Sequence, residues 1–356
     1  MCRLILPVIL IVIHFATSSF AADRPARTIP EADTVRERFL KLLDRPRVAP
    51  NATEKPLGTQ NGLTQTAFAF DSEAGQRVPG IMISPKAPAG RLPVVIVLHG
   101  TGGSKQGMLP LLQQFAKRGL IGVAIDGRFA GERSDGTPGA TAYQAAILET
   151  WKTGKGQPFF YDTAWDLMRL LDYLETRSDV DPAKIGAIGF SKGGIELYLT
   201  AAVDQRLAAS VPCIGVQSFG WALDNNAWQS RVSTIQNAVD QAAREQGLTT
   251  VDAEFIRQFY ERVVPGIHHE FDGPIMLPLI APRPLLVING DSDDRTPRAG
   301  LELCIKPARE AYKKLDASKN FEFLLQPDTG HAVRPESERK AVNWLVKHLT
   351  QASGGR

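Results

Sequence analysis

Gly189-Phe190-Ser191-Lys192-Gly193-Gly194 is the segment of this 356-residue chain whose residue types and spacing best fit covalent chemistry. A serine hydroxyl is a weak nucleophile until a base takes its proton, and it must stand in the open to reach a carbonyl carbon. A sharp strand-to-helix turn presents it so, and glycines at 189, 193 and 194 let chain segments crowd around that turn. The pattern G-x-S-x-G recurs by chance, but here it follows the apolar run 185–188 and precedes the helical run 195–203. The base and the acid that orients it must come from elsewhere in the chain. His331, in Gly330-His331-Ala332 beyond the last apolar run, is read as the base; His14 falls in the leader and His348 in the terminal helical run. The adjacent pair His268-His269 is the rival. Neighbouring histidines chelate poorly on a helix and no third ligand is evident beside them, so they are read as polar groups of an insertion. The acid is expected in the stretch 289–297, where Asp291, Asp293 and Asp294 all qualify.

An oxyanion formed on attack needs backbone N–H donors held in place, each worth about 3 kcal/mol. The candidates are Lys192, directly after the serine, and Thr101 in the loop His99-Gly100-Thr101-Gly102-Gly103-Ser104. That loop lacks the Gly-Lys-Ser/Thr ending of a phosphate cradle, and His99 is read as a hydrogen-bonded structural residue. Phe190, Trp221, Trp228 and Arg128 are candidates for substrate contact. The tryptophans suit a stacking wall or the packing of an insertion, and Arg128 and Arg133 suit an acidic substrate such as a uronate or the fixing of their own loop.

The elements that must position these residues follow from periodicity. Residues 66–70 and 78–84 alternate and read as an antiparallel edge. Apolar runs at 93–98, 119–125, 185–188, 209–214, 284–288 and 321–325 read as strands buried on both faces. Helical patterns lie between them, as in Met108, Leu111, Leu112 and Phe115, so an α/β fold is predicted: a mostly parallel eight-stranded sheet with helices on both faces. Residues 126 to about 161 are read as a long loop. Residues 216–280 far exceed an ordinary connection and are read as a helical cap over the sheet's carboxyl edge.

Hydrophobic content of 43% and charged content of 22% belong to a globular chain with a sizeable core. A net charge of +3, with no basic block interleaved with aromatics, excludes a nucleic-acid partner. Met1-Cys2-Arg3, the apolar run 4–16 and Ser19-Phe20-Ala21 have the layout of a signal peptide, which predicts an exported, periplasmic or extracellular protein. The run falls short of the about 20 residues a spanning helix takes, so no stable membrane insertion is expected after cleavage. The organisation read from these features is a leader 1–21, an arm with a helix 22–62, a catalytic domain 63–350 and a tail 351–356. Cys213 and Cys304 are read as buried thiols rather than a disulfide.

Together these pieces resemble the α/β-hydrolase superfamily, and within it the dienelactone-hydrolase-like and acetyl xylan esterase-like branch. The resemblance is carried by His99-Gly100-Thr101-Gly102-Gly103, Asp126-Gly127-Arg128 with Gly131-Glu132-Arg133, Val180-Asp181-Pro182, and Ile280-Ala281-Pro282-Arg283-Pro284, along with Asp293, Gly330 and His331. It covers about residues 64–350. It implies the chain order serine, acid, histidine, which sets His99 aside, and a G-x-x-D-x-x-x-P spacing that selects Asp293 between Gly290 and Pro297. It further implies hydrolysis of a carboxylic ester through an acyl-enzyme, on a small-molecule or carbohydrate ester (acetylated or uronate-linked), with no metal or organic cofactor. Two departures stand out: true dienelactone hydrolases carry a cysteine where Ser191 stands, and the insertion 216–280 has no counterpart in compact members. Two other readings compete. A peptidase of the prolyl-oligopeptidase type normally carries a large N-terminal propeller, for which the arm is too short. A non-catalytic binding module on the same fold is opposed by the intact Ser-Asp-His set.

Overall fold

The computed structural model describes residues 32–86, 90–137 and 139–351. The expected signal peptide, the start of the arm and nearly all of the tail lie outside the described residues. The strands are β1 (Thr53–Gln60), β2 (Leu63–Glu73), β3 (Gln76–Pro85), β4 (Leu92–Leu98), β5 (Ile121–Ile125), β6 (Val180–Phe190), β7 (Leu207–Cys213), β8 (Leu285–Gly290) and β9 (Phe321–Gln326). They form one sheet in the order β1-β2-β3-β5-β4-β6-β7-β8-β9. The pairs from β5 to β9 are parallel, and the β1–β3 edge is antiparallel, with Phe70 opposite Val78.

Side chains of a strand point alternately to its two faces, so a strand buried on both faces feeds two cores. In β4, Val94, Ile96 and Leu98 join one core while Val95 and Val97 join the other. Burying such a side chain contributes about 1.5–3 kcal/mol relative to exposure, which makes the central strands the rigid base of the molecule. One face is covered by α1 (Ala32–Leu43), and the other by α2 (Leu109–Ala116). The chain then continues with α3 (Thr141–Thr153), α4 (Tyr161–Glu175) and α5 (Lys192–Val203). Arg36 staples α1 down: its guanidinium donates to Ala202 O at 2.9 Å and Leu279 O at 2.6 Å.

Two expectations are corrected. The sheet has nine strands rather than eight, because Thr53–Gln60, expected to be part of the arm, pairs with β2. This strand is exposed along its whole length and carries Pro56 and Gly58 at a register shift, so it has no apolar alternation to betray it. The stretch read as a long loop contains α3, whose Tyr143, Ile147, Leu148 and Trp151 are buried.

Residues after β7 form α6 (Phe219–Asp224), α7 (Gln229–Val232), α8 (Gln236–Glu245), α9 (Ala253–Val263) and α10 (Gly273–Met276). Trp151 of α3 meets Phe255 and Phe259 of α9 at ring-centroid distances of 5.6 and 5.3 Å, which seats the insertion on the core. The chain closes with α11 (Arg298–Lys314) and α12 (Pro335–Thr350). Cys213 and Cys304 are buried free thiols. Among the described residues no helix is long and apolar enough to cross a membrane.

Asp272 ties the two ends of the insertion together. Its carboxylate accepts from Ser218 Oγ (2.7 Å) and from the amides of Phe219 (2.8 Å), Gly220 (3.0 Å) and Gly273 (2.7 Å). Removing it leaves two buried amides and one half-buried amide unpaired, and each buried one is an expensive loss. Asp272→Ala is expected to lower unfolding stability by about 2–4 kcal/mol in urea titration; a loss below about 0.5 kcal/mol would contradict this role.

Candidate active site

Ser191 lies between the end of β6 and the start of α5, at φ 54° and ψ −116°, a region that non-glycine residues rarely occupy. The turn is held from both sides: Ser191 N donates to Cys213 O of β7 at 2.9 Å, and its own carbonyl accepts from Gly194 N at 2.9 Å. A side chain at Gly193 would meet His99 O and Leu98 O at 2.7 Å, so this turn closes against the end of β4 only without one.

His331 Nε2 stands 2.8 Å from Ser191 Oγ, and its Nδ1 lies 2.9 and 3.0 Å from the two carboxylate oxygens of Asp293. The imidazole is 16% exposed and the Asp293 side chain fully buried. Burial raises the Asp293 pKa, but hydrogen bonds from His331, Thr296 and the Arg295 amide outweigh it and hold the group below the usual carboxylate value. The acid and histidine loops are locked to each other. Asp291 accepts from Asp328 N and Thr329 N, both at 3.1 Å, and so bridges the two loops. A side chain on Gly290 would meet Thr329 O at 2.1 Å. Gln326, buried at the end of β9, donates to Ala332 O and accepts from Arg334 N, both at 2.8 Å, and so fixes the chain on either side of the imidazole loop.

On the other flank of the serine, Thr101 and Lys192 line the same cavity as Ser191 and His331. Lys192 opens α5, so its N–H is one of the donors a helix leaves unpaired. Its ammonium does not project towards a substrate: it is buried, bonded to Glu196 Oε1, and lies 5.2 Å from the Tyr143 ring centroid. His99 braces the Thr101 loop. Its Nε2 accepts from Gly127 N at 3.1 Å, which leaves Nδ1 as the protonated nitrogen, donating to Gly100 O at 2.8 Å. Burial, and next the Lys192 charge, push its pKa down to about 4.

A small cavity of about 30 Å³, open to solvent at its mouth, lies before Ser191. Phe159, Phe160 and Phe219 form its apolar wall, and Ser230, Arg231, Ser233 and Thr234 of the insertion with Arg295 of the acid loop form its polar wall. Five residues read as candidate contacts do not line it. Arg128 is bidentate to Asp166 at 2.8 Å on each arm and 2.7 Å from Glu73, so its donors are spent tying its loop to α4 and β2. Arg133 is held by the same Asp166 at 2.7 Å. Trp228 is buried in the insertion's packing, donating to Asn226 Oδ1 at 3.1 Å. Trp221 packs near Gly300 of α11, and Phe190 packs with the core on the α2 side. Sequence reasoning missed Phe159, Phe219 and Arg231, whose neighbours carry no spacing that signals a site. His268 and His269 lie away from this cavity, and Glu261 of α9 brings an oxygen to 3.0 and 3.2 Å of their Nε2 atoms, the third group that the local sequence did not reveal.

The family described as "Glucuronyl esterase, fungi" matches residues 84–316, well over half of the chain. The protein YtaP of Bacillus subtilis (strain 168) is 26% identical over 79% of this chain and 86% of its own. A 4-O-methyl-glucuronoyl methylesterase of Podospora anserina is 25% identical over 54% of this chain, which spans only 40% of that protein's length. Acetyl xylan esterase 1 from Thermoanaerobacterium sp. JW/SL YS485 has the same fold, with a TM-score of 0.64 at 19% identity over 91% of this chain and 96% of that one. With its α/β-hydrolase fold, the chain belongs to the glucuronyl esterase family and, with it, to the carboxylic ester hydrolases.

Proposed function

We propose that this protein is an exported serine esterase acting on a carbohydrate ester, acetylated or uronate-linked, through Ser191, His331 and Asp293. The observation that carries the reading is the unbroken hydrogen-bond chain from Ser191 Oγ through His331 to Asp293, opening into a cavity. The Ser191 oxygen attacks the ester carbonyl carbon while its proton passes to His331 Nε2. The Asp293 carboxylate holds the ring and offsets the imidazolium charge. The oxyanion is met by the Lys192 and Thr101 amides. The alcohol leaves with the proton from His331, and water then attacks the acyl-serine through the same base, releasing the acid.

The esterase names among the relatives support the carbohydrate ester, and the apolar run 4–16 ahead of Ser19-Phe20-Ala21 supports export. N-terminal sequencing of the exported protein is expected to begin at Ala22.

A panel of acetylated sugars, glucuronoyl esters and simple acyl esters is expected to include a substrate. Ser191→Ala and His331→Ala should each lower kcat by roughly 10⁴-fold or more, and Asp293→Asn by roughly 10³–10⁴-fold. Turnover of no ester by folded protein, or full activity in Ser191→Ala, would overturn the reading.

The brace on the Thr101 loop requires a neutral His99. With its folded pKa at about 4 against about 6.5 unfolded, the unfolded chain takes up a proton between these values that the folded chain refuses. Its contribution to stability is therefore full above pH 6.5, falls as pH falls towards 4 and levels off below. NMR of labelled histidine should show the His99 ring neutral at pH 5.5; a protonated ring there would contradict the hydrogen-bond assignment.

A further inference from the structure

The cavity before Ser191 carries a charge that ester chemistry alone leaves unused. Arg231, on α7 of the insertion, is 9% exposed, and its Nε is fully buried without a hydrogen-bond partner among the described residues. Among the described residues the other three buried arginines each meet a carboxylate: Arg36 that of Asp33, Arg128 those of Asp166 and Glu73, and Arg169, whose Nε is likewise unpaired, that of Asp172. Among the described residues Arg231 has no such carboxylate, and those lining the cavity include neither Asp nor Glu. Its guanidinium carbon lies 5.6 Å from the Phe219 ring centroid, which holds the fork against the apolar wall. Arg295 adds a second guanidinium to the same cavity, whereas the Lys192 ammonium is already neutralised by Glu196.

Burying a charge is costly unless a partner meets it. A guanidinium presents a planar fork of donors that matches a carboxylate in two parallel hydrogen bonds. We infer that Arg231 binds a free carboxylate on the substrate, so that the scissile ester is an acyl group on the hydroxyl of an acidic sugar: an O-acylated uronate. This rests on the esterase reading and narrows it. An ester made from the uronate carboxyl itself is neutral at that position and leaves Arg231 unpaired, whereas an acyl group on a uronate hydroxyl leaves the carboxylate free to pair.

Two measurements separate this inference from the reading beneath it. The first compares kcat/KM for O-acetylated methyl glucuronoside and O-acetylated methyl glucoside, in the wild type, Arg231→Gln and Arg231→Lys. The wild type should favour the acidic sugar at least tenfold at low salt, Arg231→Gln should bring that ratio near one, and Arg231→Lys should retain part of it. The second is calorimetric binding of glucuronate and of glucose to Ser191→Ala, with and without Arg231→Gln; glucuronate should bind more tightly, and only while Arg231 is present. Fluorophosphonate labelling of Ser191 in each Arg231 variant verifies that the site is folded. If neither ester is hydrolysed but glucuronate binding depends on Arg231, the O-acyl assignment falls while the anion site stands, and the esterase reading falls only if the wider ester panel fails as well. If both esters are hydrolysed with no preference for the acid, or Arg231→Gln leaves the ratio and glucuronate binding unchanged, the anion site is overturned.

Discussion

Ser191 is held at φ 54° and ψ −116°, a backbone state that costs a non-glycine residue of the order of 1–3 kcal/mol and persists only where its surroundings over-determine it. Here they do so with backbone alone. β7 accepts the Ser191 amide, α5 returns two amides to its carbonyl, and the end of β4 lies so close that residue 193 has no room for a side chain. These segments belong to the most deeply buried strands of the sheet, so the cost is offset by the two cores that the sheet supports. Everything else in the site is placed relative to this turn. The Thr101 loop leaves β4 on one side, and the acid and histidine loops leave β8 and β9 on the other.

What keeps the second side in register is a set of contacts between loops. Asp291 and Gly290 join the acid loop to the histidine loop, and Gln326 clasps the histidine loop across its base. His331 therefore reaches Ser191 and Asp293 together because β8 and β9 are adjacent parallel neighbours whose loops emerge on the same edge. The insertion closes the site from above, and Asp272 fixes where it enters and leaves the sheet.

Buried strands and the glycine-flanked serine were readable from the chain because each leaves a local pattern: continuous apolar runs, glycines at fixed offsets, and a histidine just beyond a strand. β1 left none, since it is exposed along its length and has no apolar alternation. α3 was hidden by the Gly- and Arg-rich text before it, although its own apolar spacing was present. The cavity walls were the least legible. Trp221 and Trp228 drew attention as large aromatics but serve packing, while Phe159, Phe219 and Arg231 converge from three separate stretches. Arg128 and Arg231 are the same residue type with opposite fates, and only the placement of Asp166 and Glu73 separates them. Partnership across the fold is a tertiary fact with no local signature.

The central claim is that Ser191 becomes acylated during turnover. Acid-quenching the enzyme with a slowly deacylating ester, followed by tryptic digestion and mass spectrometry, tests it most directly. Cleavage after Lys184 and Lys192 isolates residues 185–192, whose one hydroxyl side chain is Ser191. The peptide from the wild type should carry the mass of the acyl group, and that from His331→Ala should not. Steady turnover with the acyl group on another peptide, or on none, would contradict it.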